Sequence, residues 1–235
     1  MFVDFDGTLS EIAPHPDAAV AVEGGAAALS KLAAQFAIVA VVTGRPAAEV
    51  RARLDVPGVE ILGHYGLEHP GATTPSPSGE PAAVRRAVDA AAAAVPGAWV
   101  EDKGRSLAVH YRAARSPEEA AAALRPGLDR IAADAGLRLL EGKMVLEIAP
   151  ADTPGKGTVV AREASARRLR ACLFAGDDLA DLAAFDALDE LAADGVATVK
   201  VAVDGPETPH ELCEAADEIV DGPRGLVELF ERLCE

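Results

Sequence analysis

The sequence predicts an α/β fold in which a Rossmann-like, doubly wound parallel sheet carries an inserted α+β unit. Two observations predict it. Apolar runs of strand length alternate with helical runs over residues 1–69 and again over residues 146–235, the pattern of a parallel sheet covered by helices on both faces. Between them, over residues 70–145, strand-like runs follow one another across short turns that contain glycine, as in antiparallel hairpins.

In the first part, FVDF is a short apolar strand, and the alanine-rich run at 24–35 is a helix. The continuous β-branched run at 36–45 predicts a strand buried on both faces. Pro46 then opens a helix, and the run at 59–68 predicts a third strand.

After a turn-rich connector at 69–81, the inserted unit is predicted to contain two helices, at 84–95 and 116–136. Its four strands are expected at 98–103, 106–112, 137–143 and 144–150. The parallel pattern then resumes with a helix at 154–169, a strand and helix at 173–188, a strand at 196–205 and a final helix at 223–234.

Composition excludes several classes of partner. The 235 residues carry a formal net charge of −16, so we expect no nucleic-acid partner and no anionic membrane surface. Cys172, Cys213 and Cys234 have no disulfide or zinc spacing, which favours reduced thiols in a cytoplasmic protein. We see no membrane-spanning run and no secretory signal. A monomer is the working expectation, although no sequence pattern fixes the oligomeric state.

Asp4 and Asp6 stand two residues apart at the end of the first apolar run. Alternation along a strand would place both carboxylates on one side, and two such charges cannot both persist in a dry site unless a cation compensates them or one holds a proton. A phosphoryl-transfer enzyme uses both solutions, with one aspartate as nucleophile and the other as acid and base. The alternative is a solvated turn with two surface acids.

Further polar residues follow predicted strands or open helices, where ligands bind in open α/β sheets. They are Thr43, Lys156, Asp177, Asp178 and Asp181. Each alone has an ordinary explanation as a turn, a helix start or an N-cap. Together they predict a phosphate site beside oxygen ligands that suit Mg²⁺.

Four segments, DFDGT, VVTGR, PGKG and GDDLAD, resemble the four motifs of the haloacid dehalogenase superfamily of phosphatases. The resemblance implies that Asp4 is the nucleophile that becomes an aspartyl-phosphate and that Asp6 is the general acid and base. It also implies phosphate binding by Thr43 and Lys156, and an inserted α+β cap.

The same resemblance implies a Mg²⁺ site. Its ligands would be Asp4, Asp177 and the main-chain carbonyl of Asp6, with Asp178 and Asp181 in close support.

Four further segments narrow the resemblance: DGTLSEIAPHPDAA, GHYGLE, VEDKGRSLAVHYR and GKMVLEIAP are similar to the trehalose-6-phosphate phosphatase family. This implies hydrolysis of a sugar phosphate, trehalose 6-phosphate. The chain departs from that family in two places. His64-Tyr65-Gly66 stands where Asn-His-Gly is more usual, and only three residues precede Asp4.

Alternation in SLAVHYR puts Ser106, Ala108, His110 and Arg112 on one face of a strand. This polar face either contacts a sugar phosphate or is simply exposed to solvent. Its residues His110 and Arg112 would, with Lys103 and Arg45, form a positively charged group suited to an anionic sugar phosphate. Resemblance implies that Glu68 and Glu147 contact sugar hydroxyls.

Other functions stay open at this point. The nearest are phosphatases of the same cap class that act on sucrose, mannosylglycerate or glucosylglycerol phosphates. A phosphomutase would carry the same pair of aspartates. A receiver domain of signalling proteins also groups Asp, Thr and Lys around Mg²⁺, but it is about half as long and has no inserted cap.

Overall fold

The structure, a computed structural model, describes residues 1–13, 15–69 and 81–235. The chain divides into a first unit, Met1–Ala72 with Pro154–Glu235, and a second unit, Thr73–Thr153. Most of the predicted connector at 69–81 lies outside the described residues. No helix in the described ranges has both the length and the apolar character needed to cross a bilayer.

Six strands form the sheet of the first unit. They are β1 (Phe2–Val3), β2 (Val39–Val42), β3 (Val59–Leu62), β8 (Ala171–Gly176), β9 (Ala197–Asp204) and β10 (Glu218–Asp221), with β4 to β7 in the second unit. The strand order is β10-β9-β8-β1-β2-β3 and every pairing is parallel. The strand order reverses at β1. From β1 the chain first adds β2 and β3 on one side, and later adds β8, β9 and β10 on the other side.

Helices cover both faces of this sheet. They are α1 (Gly25–Gln35), α2 (Ala47–Arg53), α5 (Lys156–Arg167), α6 (Leu179–Ala193), α7 (His210–Ala215) and α8 (Gly222–Arg232), with α3 and α4 in the second unit. Neighbouring strand residues enter opposite cores: Val3 packs with Leu29 and Phe230, and Phe2 packs with Val159 and Phe185. Burial on both faces explains why these strands are uniformly apolar.

The described residues of the second unit, 81–153, form a four-stranded antiparallel sheet with two helices. Its elements are α3 (Pro81–Ala93), β4 (Trp99–Asp102), β5 (Leu107–His110), α4 (Pro117–Asp134), β6 (Leu137–Gly142) and β7 (Val145–Pro150), and the strand order is β4-β5-β7-β6. As alternation predicts, Leu107 and Val109 pack with Leu124 and Leu128 of α4. The predicted fold class, a parallel α/β core with an α+β insert, is confirmed.

Two boundaries differ from the prediction. The second unit ends at Thr153 rather than at residue 145, because β7 pairs with both β5 and β6 and so belongs to the antiparallel sheet. The third strand stops at Leu62, and His64–Gly66 forms a short turn instead. Both α7 and β10 were missed, since they are short and mostly polar on their exposed sides.

Candidate functional site

The candidate site lies where the strand order of the first unit reverses. Asp4 directly follows β1, which pairs with β2 on one side and β8 on the other, and its backbone N–H donates to the carbonyl of Ala175 on β8. Asp177 directly follows β8, and Thr43 directly follows β2. The carboxyl ends of three adjacent parallel strands therefore bring these residues to one edge, at the position where open α/β sheets bind ligands.

Three buried carboxylates gather at this edge. Asp4, Asp177 and Asp181 each offer an oxygen, and these oxygens lie within 4.8 Å of one another. The ammonium of Lys156 lies beside two of them: Nζ is 3.1 Å from Asp4 Oδ1 and 2.6 Å from Asp181 Oδ1. Three carboxylates and one ammonium leave a formal charge of −2 when all are ionised. Hard oxygen donors that carry two uncompensated negative charges fit a divalent cation such as Mg²⁺.

The electrostatics of the cluster follow from burial. Desolvation raises the pKa of Asp4 well above its usual value, and the neighbouring carboxylates of Asp181 and Asp177 raise it further, while Lys156 opposes the shift. Burial alone would lower the pKa of Lys156, but Asp181 and Asp4 outweigh it and the pKa is raised. Lys156 therefore stays an ammonium, and Asp4 is costly as a carboxylate unless a further positive charge arrives.

Asp181 joins the parts of this cluster. It is fully buried. Its Oδ2 accepts the backbone N–H groups of Asp177 and Asp178 at 3.0 Å each, while its Oδ1 accepts from Lys156. Asp181 thereby fixes both the turn that presents Asp177 and the direction of the lysine.

Asp178 has a different place. Its side chain accepts from the backbone N–H of Leu179 at 2.7 Å and caps α6. Among the described residues the acidic group comprises Asp4, Asp177 and Asp181 and does not include Asp178. Whether Asp178 and Asp181 support a metal, as the sequence suggests, stays a prediction.

Sequence reasoning missed Thr8. Its hydroxyl donates to Asp177 Oδ1 at 2.8 Å, and both residues are buried. The contact joins residues 169 positions apart. Thr8 stands next to Gly7 in DFDGT, but nothing in the sequence pairs it with Asp177, so only the fold reveals that it orients this carboxylate.

Asp6 does not join the acidic group. Arg45 holds it with two hydrogen bonds, from Nε to Oδ2 and from Nη2 to Oδ1, each 2.7 Å long. Arg45 is buried, its guanidinium also lies 5.8 Å from the ring centre of Phe5, and its backbone N–H donates to the hydroxyl of Thr43 at 3.1 Å. The loop after β2 thus holds Thr43 and the partner of Asp6 together. The predicted sugar-phosphate contact of Arg45 stays a prediction.

Glu68 has a contact that the sequence did not suggest. Its Oε2 accepts the backbone N–H of Ala47 at 2.7 Å, at the start of α2. The carboxylate of Glu68 thus accepts from a free N–H group at the start of α2. Pro46, at the N-cap, has no side-chain acceptor that could do so. The predicted contact of Glu68 with sugar hydroxyls stays a prediction.

In the second unit, Glu147 is 2% exposed and lies opposite Ala108 on the polar face of the sheet. Ser106 donates to its Oε1 at 2.5 Å, and Lys103 Nζ lies 2.8 Å from its Oε2. Both carboxylate oxygens therefore have partners within this unit. Ser106 and Glu147 thus share one face of the sheet, as strand alternation predicts, and the contact of this face with a sugar phosphate stays a prediction.

His110 and Arg112 do not both lie in strand β5, although the sequence predicted one strand over both. His110 ends β5, stacks on Trp99 with ring centres 4.3 Å apart, and places Nε2 2.7 Å from Glu101 Oε2. Arg112 lies in the turn beyond β5. Strand alternation therefore does not assign Arg112 to the polar face, and its predicted contact with a sugar phosphate stays a prediction.

Comparisons with known proteins identify relatives of this chain. The sequence model of the trehalose-phosphatase family matches residues 2–212. A trehalose-phosphate phosphatase of Mycobacterium avium is 35% identical, covering 100% of this chain and 62% of that protein. A Mycobacterium tuberculosis protein described as an uncharacterized glycosyl hydrolase is 39% identical over 80% of this chain and 15% of its own length.

The chain thus spans less than two thirds of these relatives. Among solved structures, the C-terminal domain of the C. albicans trehalose-6-phosphate phosphatase superposes with a TM-score of 0.81 at 22% identity, covering 99% of this chain and 90% of that one. That likeness independently supports the fold.

Proposed function

The chain belongs to the trehalose-phosphatase family of the haloacid dehalogenase superfamily, and from this premise we propose that it hydrolyses trehalose 6-phosphate to trehalose and phosphate. The observation that carries the proposal is the pairing of Asp4 with Lys156 at 3.1 Å, at the carboxyl end of β1. A buried carboxylate beside a fixed ammonium provides a nucleophile and a phosphate anchor in one place.

We propose Mg²⁺ as the cofactor, held by Asp4, Asp177 and the main-chain carbonyl of Asp6, with Asp181 adjacent. The formal charge of −2 in the acidic group supports this assignment. When bound, the ion would neutralise negative charge on the phosphate and on Asp4. The protein itself orients the ligands, through Thr8 for Asp177 and through the backbone N–H groups that bind Asp181.

In the proposed first step, an oxygen of Asp4 attacks phosphorus and the bond from phosphorus to the sugar oxygen breaks. Asp6, in its protonated form, gives its proton to the departing sugar oxygen. Lys156 and the hydroxyl of Thr43 hold phosphate oxygens, and the start of α5 adds a positive helix end there. The product is trehalose, and the phosphoryl group is left on Asp4.

In the second step, Asp6 is a carboxylate and takes a proton from water. The oxygen of that water attacks phosphorus, the bond to Asp4 breaks, and inorganic phosphate is released. Arg45 suits both steps because its two hydrogen bonds hold Asp6 in one orientation. Asp6 thus returns to its protonated form for the next cycle.

Substrate recognition is proposed for the polar residues outside the acidic group: Arg45, Glu68, Lys103, His110, Arg112 and Glu147. The partner is then a small sugar phosphate, with neither nucleic acid nor membrane involved. We propose a cytoplasmic monomer, in keeping with three free cysteines.

The test is release of phosphate and trehalose from trehalose 6-phosphate, with Mg²⁺ and with EDTA. We expect turnover only with the metal, and none from Asp4→Asn. Asp6→Asn should transfer the phosphoryl group from p-nitrophenyl phosphate to Asp4 in a single burst and then stall, because nitrophenolate needs no proton to leave whereas the water step needs the base.

A panel of sucrose, mannosylglycerate and glucosylglycerol phosphates tests the substrate. If kcat/KM is higher for one of these than for trehalose 6-phosphate, that compound becomes the proposed substrate and the proposed mechanism is unchanged. An isomerised sugar phosphate in place of free phosphate would indicate a mutase. Full activity of Asp4→Asn would overturn the mechanism itself.

A further inference from the structure

A left-handed turn follows β3 in the first unit. We use this name for His64–Gly66, whose φ angles are 46°, 54° and 87°. Glycine adopts such angles freely, but a bulky residue such as tyrosine rarely does, and two consecutive non-glycine residues in this region are unusual. Strained backbone persists only where surrounding contacts hold it in place, and it concentrates near functional sites.

The contacts of the turn are made with the loop after β2. The backbone N–H of Tyr65 donates to the carbonyl of Thr43 at 2.8 Å, and that of His64 donates to the carbonyl of Arg45 at 3.0 Å. The left-handed angles are what direct two successive N–H groups onto this loop. The strained backbone is therefore tied to the two residues that we assign to phosphate binding and to the orientation of Asp6.

The tyrosine ring extends the same contact. A Cβ placed on Gly44, between Thr43 and Arg45, would lie 2.6 Å from both the ring carbon Cζ and the hydroxyl of Tyr65. The ring thus covers the middle of the loop at a distance that leaves no room for a methyl group.

The other side of the turn meets the helix of Lys156. A Cβ on Gly66 would lie 2.3 Å from a methyl carbon of Val159, one turn after Lys156 on α5. The turn accordingly packs between the two backbone elements that carry Thr43 and Lys156.

We propose that Tyr65 is a positioning residue for the phosphate site. With its left-handed turn it sets the distance between the loop of Thr43 and Arg45 and the first turn of α5, so that Thr43 and Lys156 meet the same phosphoryl group. This inference rests on the proposed function, since it takes the phosphate as the ligand of that site. It assigns no chemical step to Tyr65 itself.

The first test replaces Tyr65 by asparagine, which tolerates a left-handed backbone and removes the ring. Because small misplacements of catalytic groups cost up to about 100-fold, we expect kcat/KM for trehalose 6-phosphate to fall by about 10- to 100-fold. The Kd of inorganic phosphate, measured by calorimetry with Mg²⁺, should rise about tenfold. Tyr65→Phe, which keeps the ring, should recover most of both losses.

Phe230→Leu is the matched control for lost stability, because it trims the core of the first unit at α8. It should lower the melting temperature and leave the Kd of phosphate unchanged. A folded Tyr65→Asn whose phosphate Kd and kcat/KM stay within about threefold of wild type would overturn the proposal. A wild-type protein that neither binds phosphate nor releases it from the sugar ester would instead overturn the proposed function, and this inference with it.

A second test approaches the contact from the loop. Gly44→Ala brings a methyl group against the ring, so it should weaken phosphate binding in the wild type and do so much less in the Tyr65→Asn background. A double-mutant cycle on the Kd of phosphate measures this coupling. Equal effects of Gly44→Ala in both backgrounds would contradict a positioning role for the ring.

Discussion

Arg45 binds both carboxylate oxygens of Asp6, through Nε and Nη2, at 2.7 Å each. The guanidinium is nearly buried, with its side chain 9% exposed, whereas that of Asp6 is 40% exposed. The guanidinium of Arg45 therefore lies inside the protein, and the carboxylate of Asp6 lies toward solvent. Arg45 therefore determines the orientation of Asp6, the proposed acid and base.

Replacing Arg45 by lysine should separate orientation from charge. Lysine keeps the positive charge but cannot make the two parallel bonds, so we expect kcat for trehalose 6-phosphate to fall by about 10- to 100-fold. The burst of nitrophenolate from p-nitrophenyl phosphate should fall much less, because that leaving group needs no proton. Stopped-flow and steady-state assays measure the two quantities.

Arg53→Lys is the control for this change, because Arg53 ends α2 and shares Glu49 with Arg45 but pairs with Asp17 and not with Asp6. It should leave both rates unchanged. An equal loss of the burst and of steady-state turnover in Arg45→Lys would show that Arg45 acts on the phosphate and not through Asp6.

The Thr8–Asp177 hydrogen bond predicts a metal phenotype. Thr8→Val keeps the shape of the side chain and removes the donor to Asp177 Oδ1. Residues that orient a metal ligand typically contribute 10- to 100-fold to affinity, so the Mg²⁺ concentration that half-saturates the rise in melting temperature should increase by about that factor. Thr8→Ser, which retains the hydroxyl, should remain close to wild type. An unchanged midpoint in the valine variant would exclude an orienting role.

The parts that the sequence could predict share one property: each residue faces the site from the end of a strand or the start of a helix. Asp4, Asp177 and Lys156 could be placed in this way, because strand ends of a parallel sheet converge whatever the rest of the chain does. Thr8 could not, since its partner is distant in sequence. Tyr65 was assigned to a strand as part of the run at 59–68, and its left-handed φ angle goes with contacts to another loop.

The ion pairs of the site could not be predicted from the sequence either. Asp6 was expected beside Asp4 by strand alternation, but β1 ends at Val3 and the backbone turns after Asp4. Asp6 then meets Arg45, 39 positions away. Similarly, Glu147 was expected to be open to a ligand, and its partners on neighbouring strands became apparent only from the register.

The raised pKa of Asp4 predicts how stability depends on pH without metal. Burial raises the pKa, so the folded state binds a proton more tightly than the unfolded state does. The stabilisation is fully present below the unfolded pKa near 4 and is lost as the pH rises toward the folded value, because stability falls where the folded state binds more protons. In EDTA, the melting temperature of wild type should therefore decline relative to that of Asp4→Asn as the pH rises above the unfolded pKa.

Saturating Mg²⁺ should remove most of that difference, since the cation compensates the carboxylate. Differential scanning fluorimetry of both proteins over the same buffers makes the comparison. If the two proteins decline in parallel in EDTA, then Asp4 is not the group that couples stability to pH.

The last prediction concerns the buried group of Ser106, Lys103 and Glu147 in the second unit. Removing one member of a buried ion pair leaves the other uncompensated, so Glu147→Gln should lower the free energy of unfolding by about 2–4 kcal/mol. Exposed Glu141, on the neighbouring strand β6, pairs with Arg125, and Glu141→Gln should cost less than about 1 kcal/mol. If Glu147 also aligns Lys103 for a sugar, its variant should lose more kcat/KM for trehalose 6-phosphate than for p-nitrophenyl phosphate. Equal losses on the two substrates in the folded variant would limit Glu147 to a structural role, because a small ester has no sugar for Lys103 to meet.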